Sequence, residues 1–99
     1  VGLAQGAMDH TISFVQERME FGESVADFQG VRWIIADMAV QIEASRQLVY
    51  NAAAAVDDGL SGNSLATLAS IAKCHSSGTA MRVATDAVQL FGAAGISND

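Results

Sequence analysis

A chain of 99 residues, 51% of them apolar, has enough material for one hydrophobic core and not for two. Its formal net charge of −6, with Arg18, Arg32, Arg46, Lys73 and Arg82 dispersed, argues against a nucleic-acid or anionic-membrane surface. One cysteine, Cys74, allows no intrachain disulfide and no redox or metal spacing.

In chain order, the first element is a helix. Leu3, Ala4, Ala7, Met8, Thr11, Ile12, Val15 and Met19 follow the 3, 4, 3, 4 spacing of one helical face, with Asp9, Ser13, Gln16, Glu17 and Glu20 largely opposite. Phe21-Gly22 brings the glycine expected just past a helix end, so this helix should stop near Glu20. A second helix is expected from Asp27 to Gln29 onward, with the Asp27 carboxylate as N-cap. Its stripe runs through Val31, Ile34, Ile35, Met38, Ile42, Leu48, Val49, Ala52 and Val56, and Asp57-Asp58-Gly59 ends it. Ser61-Gly62-Asn63-Ser64 reads as a polar turn.

The third helix should run from about Leu65 to Leu90, with Leu68, Ala72, Ser76, Thr79, Val83, Ala87 and Leu90 on one face. Gly78 costs about 1 kcal/mol against alanine in a helix interior. Small residues in "HSSGTA" also permit close approach of a neighbouring helix, so one helix is expected through this stretch, with room for a kink. "ATDAVQLFGAAG" reads by itself as a glycine C-cap followed by a loop. There is no proline and no alternating β-branched run. The expected fold is all-α: an antiparallel up-down bundle of three long helices. Trp33 and Tyr50 lie off the second helix's stripe, so a fourth helix of the bundle or a partner chain is expected to cover them.

No apolar run approaches the ~18 residues of a membrane span, and the start lacks a signal-type segment. The chain has no initiator methionine, is helix-periodic from its first residues, and ends on "GISND". It is expected to be a piece of a longer, non-secreted protein of a reducing compartment, cytoplasmic or mitochondrial matrix.

The residues offer no self-contained active site. The Glu-x-x-His pairs of ferritin-like metal bundles are absent, because Ala7 and Ala72 precede His10 and His75 by three. Cys74 and His75 point about a hundred degrees apart on a helix, and Ser76 and Ser77 do not face the neighbouring His75. Both histidines read as structural. Two places remain. Around "RMEFGESVADFQ", Arg18 closes one helix and Gln29 opens the next, framed by Phe21 and Phe28; this is either a packing plug with a capping arginine or a binding surface. The other place is Gln89 before the glycine-punctuated segment.

Together "GLAQGAMDHTISFVQERMEFG", "ADFQGVRWIIADMAVQIEASRQLVY" and "ATDAVQLFGAAG" resemble, in order and over essentially the whole of residues 1–99, the C-terminal helical domain of the acyl-CoA dehydrogenase family. They match its Arg-x-x-Phe-Gly turn, its Phe-Gln helix start and its Ala-x-Gln-x-x-Gly-Gly segment. The resemblance implies FAD contacts made to a neighbouring subunit. Arg18 would meet the pyrophosphate, Phe21 and Phe28 would shape the adenosine end, Gln29 and Gln89 would hydrogen-bond the cofactor, and Gly92 with Ala93 would let backbone approach it. A guanidinium's planar fork suits phosphate oxygens. Where the family has two glycines this chain has Gly92-Ala93.

The implied parent is an FAD-dependent acyl-CoA dehydrogenase that forms 2,3-enoyl-CoA. Its catalytic carboxylate base and most of its acyl-CoA pocket would lie outside this chain, which by itself should be inactive and should self-associate as a dimer or tetramer. The alternatives are an acyl-CoA oxidase or related flavoprotein built on the same domain, and a non-enzymatic helical assembly module.

Overall fold

The computed structural model describes the backbone of residues 1–20 and 25–97, and the side chains of residues 1–17 and 29–90. Three helices follow one another: α1 (Gly2–Glu20), α2 (Val25–Asp57) and α3 (Gly62–Ser97). Among the described residues there is no strand. The molecule measures 55 × 18 × 18 Å. At about 1.5 Å of rise per residue, the 36 residues of α3 alone span that length.

The helices run antiparallel because their connections are short. Gln5, near the start of α1, meets Arg46 well along α2, and Ser45 in mid-α2 meets His75 in mid-α3. With 19 residues, α1 reaches only about half the length of the α2–α3 hairpin. The core lies where all three overlap. Ala4, Met38, Ile42 and Val83 are buried there, with Val1, Ala7, Met8 and Leu90 packed against them. Burial of a Met, Ile or Val side chain stabilises by about 1.5–3 kcal/mol each.

Helix α1 runs through Glu20, the last described residue before Val25, and the boundary expected at Asp57 is observed. Phe21-Gly22 lies outside the described residues. The α2 terminus closes by a Schellman arrangement: the Leu60 amide donates to the Ala55 carbonyl at 2.9 Å and the Gly59 amide to that of Val56 at 3.0 Å. Gly59 takes φ +90, a conformation that costs a side-chain-bearing residue dearly.

Several expectations need correction. Helix α2 starts at Val25, so Asp27 is its third residue and not its N-cap. A carboxylate-bearing residue in the first turn of a helix is favourable, because that end of the helix dipole is positive. Helix α3 starts at Gly62, which puts Asn63 and Ser64 in its first turn; Gly62 itself takes φ +71. At its other end α3 continues past Leu90 to Ser97, so Gly92 is no C-cap. One or two glycines at ~1 kcal/mol each do not stop a helix whose neighbours are alanines and in which proline is absent. The expectation of one helix through Gly78 holds, and a Cβ there would meet nothing within 4 Å. Leu3, placed on the buried face by its spacing, is exposed.

The stripes otherwise hold. On α3 every residue from Leu68 through Ala72, Ser76, Thr79, Val83 and Ala87 to Leu90 is buried or half-buried. On α2 the centre of the stripe is Met38 and Ile42, while Ile34 and Val56 are exposed. Trp33, Val40 and Tyr50, off the stripe, are exposed as expected.

Candidate functional site

The sequence candidates fall at one end of the bundle. Arg18 lies in the last turn of α1, Gln29 in the second turn of α2, and Gln89, Gly92 and Ala93 near the end of α3. Their levels along the axis follow from the contacts between helices. Equal rises counted from the Gln5–Arg46 contact put Arg18 level with Trp33. Counted from the contacts of Ser45 with His75 and Thr79, Gln89 is also level with Trp33, and Gly92-Ala93 is level with Gln29. The side chains of Arg18, Phe21 and Phe28, and those beyond Leu90, lie outside the described residues. Gln29 and Gln89 are exposed.

A concavity of about 380 Å³ opens on α2 at this end, lined among the described residues by Gln29, Arg32, Trp33 and Ala36. Their spacing, i, i+3, i+4 and i+7, is that of one helical face. Gln89 is not among the described residues that line it. The extension of α3 also changes the electrostatics of Gln89. With helix continuing to Ser97, this residue stands two turns before the negative pole, whose influence falls off within the last turn.

A polar cluster away from this end escaped the sequence reading. The Ser45 hydroxyl lies 2.7 Å from His75 Nδ1 and 2.9 Å from Thr79 Oγ1, and Thr79 Oγ1 lies 3.3 Å from the same ring nitrogen. A serine oxygen at this distance from an imidazole is also what nucleophilic catalysis requires. Ser45, however, is 0% exposed, so no substrate can reach it. Three contacts share at most two hydrogen bonds at a time, enough to give each of the three polar atoms a partner, and the triangle pins the register of α2 against α3. The structural assignment of His75 thus has its explanation, with a serine thirty positions away rather than Ser76 or Ser77 as the partner. The available signal was Ser45 itself, a polar residue in step with Met38 and Ile42 on the buried stripe.

A second polar tie joins α1 to α2. Arg46 Nη2 donates to Gln5 Oε1 at 2.7 Å, Gln5 Nε2 donates to Asp9 Oδ1 at 2.9 Å, and Arg46 Nε stands 3.6 Å from Glu43 Oε2. Glu43 is well exposed, so its ion pair contributes little; the Gln5 bond is what fixes α1. Among the described residues no group of His, Cys, Asp and Glu forms a metal site, and no helix is long and apolar enough to cross a membrane.

A family model described as acyl-CoA dehydrogenase, C-terminal domain, matches residues 1–99. The chain belongs to the acyl-CoA dehydrogenase family. It is 48% identical over 99 residues to the probable acyl-CoA dehydrogenase FadE25 of Mycobacterium tuberculosis, which covers all of this chain and 25% of that protein. It is 45% identical over 95 residues to the cyclohex-1-ene-1-carbonyl-CoA dehydrogenase of Geobacter metallireducens, covering 96% of this chain and 24% of that protein. A solved chain from the work on the electron transferring flavoprotein of Acidaminococcus fermentans superposes with a TM-score of 0.82 at 43% identity, over 96% of this chain and 24% of that one. The chain therefore spans about a quarter of the length of the relatives it matches. Acyl-CoA dehydrogenase membership agrees with the resemblance read from the three motifs and with the all-α bundle.

Proposed function

We propose that this chain is the C-terminal helical domain of an FAD-dependent acyl-CoA dehydrogenase, and that it contacts the adenine diphosphate half of the flavin of a neighbouring subunit. The parent oxidises an acyl-CoA thioester to the 2,3-enoyl-CoA. A carboxylate outside this chain takes the α-proton, and the bound flavin supplies the acceptor for the hydride from the neighbouring carbon. The residues of this chain bind and orient. Arg18 offers its guanidinium fork to the pyrophosphate, Gln29 and Gln89 give neutral amide bonds, Phe21 and Phe28 frame the adenosine end, and Gly92-Ala93 bring backbone close.

What supports the reading is the convergence of three separate motifs on one level of the bundle, beside a concavity that presents an amide, a guanidinium and an indole. The chemistry of that donor set fits a dinucleotide: hydrogen-bonding and cationic groups for its polar part and an aromatic plane for its base. Gly92-Ala93 lies within helix α3, so backbone approach there means approach to a helix surface rather than to a loop.

The acyl group stays open, because relatives at 45% and 43% identity carry different substrate names, cyclohex-1-ene-1-carbonyl-CoA and short-chain acyl-CoA. We place the protein in a reducing compartment, cytoplasm or mitochondrial matrix, as a self-associating assembly. The test is Arg18→Ala in the full-length protein. Flavin-to-protein ratio after gel filtration should fall while helix content by circular dichroism stays unchanged, and Arg18→Lys should restore only part, since an ammonium lacks the bidentate fork. Undiminished flavin in Arg18→Ala overturns the assignment.

A further inference from the structure

We draw no further inference here: the strongest candidate, the apolar surface patch at Val56, Leu60 and Ile71 on the part of the α2–α3 hairpin that α1 leaves uncovered, carries nothing because nothing in the structure shows what covers it.

Discussion

The bundle has two halves that differ in how they are held. Where α1 lies on the α2–α3 hairpin, Ala4, Thr11, Met38, Ile42, Ser45, Thr79, Val83 and Ala87 are buried. Between Ser45 and Ala72, most of which lies beyond the reach of α1, no residue is buried; Leu48, Val49, Ala52, Leu65 and Leu68 are half-covered, and Tyr50, Val56 and Ile71 are exposed. Two helices side by side cover only one face of each other. The three-helix half carries its own core and the candidate flavin contacts, and the two-helix half leaves its outer faces uncovered. The division follows from the lengths of the helices: 19 residues in α1 against 33 and 36 in α2 and α3.

The largest expected effect breaks the three-helix half. Met38→Ala should cost the 99-residue chain about 2–5 kcal/mol in urea unfolding, because Met38 is fully buried and the cavity cannot collapse between three helices. Leu68→Ala in the projecting half should cost about 1 kcal/mol or less in the same chain, since a half-exposed side chain has little burial to lose. In the full-length assembly the second cost should rise toward the first. Equal costs in the isolated chain would erase the distinction.

At the junction of the halves, Ser45→Ala should cost about 1–2 kcal/mol by leaving His75 Nδ1 with only the long contact to Thr79. Thermal unfolding followed at 222 nm checks it, and a neutral result would mean that the triangle does not set the α2–α3 register. The smallest effect has the opposite sign. Gly78→Ala places a methyl in open space within a continuous helix, so it should stabilise by up to about 1 kcal/mol. A loss of stability there would imply that another chain packs closely on Gly78.

Much of this architecture was legible in the sequence. Spacings of three and four from Leu68 to Leu90 gave the buried face of α3 residue by residue, and glycine after an acidic helix end located the α2 terminus. The errors have identifiable causes. Asp27 reads as a cap because it precedes the apolar stripe, yet it lies within α2. Gly92 reads as a helix end because glycine often is one, but the alanines around it favour continuation. Leu3 follows the buried spacing and is exposed, because periodicity gives a face and not the width of what covers it. The Ser45–His75–Thr79 triangle joins residues 30 and more positions apart, and no local pattern pairs them. The candidate site was legible only through the family motifs; the concavity around Trp33 required coordinates.

Amide hydrogen exchange on the full-length protein, with and without FAD and with its oligomeric state monitored, tests the functional division of the molecule most directly. The account predicts that FAD slows exchange in residues 18–36 and 89–93 and leaves residues 47–71 unchanged as long as the oligomer persists. Unaltered exchange in residues 18–36 and 89–93, or protection confined to residues 47–71, would contradict it.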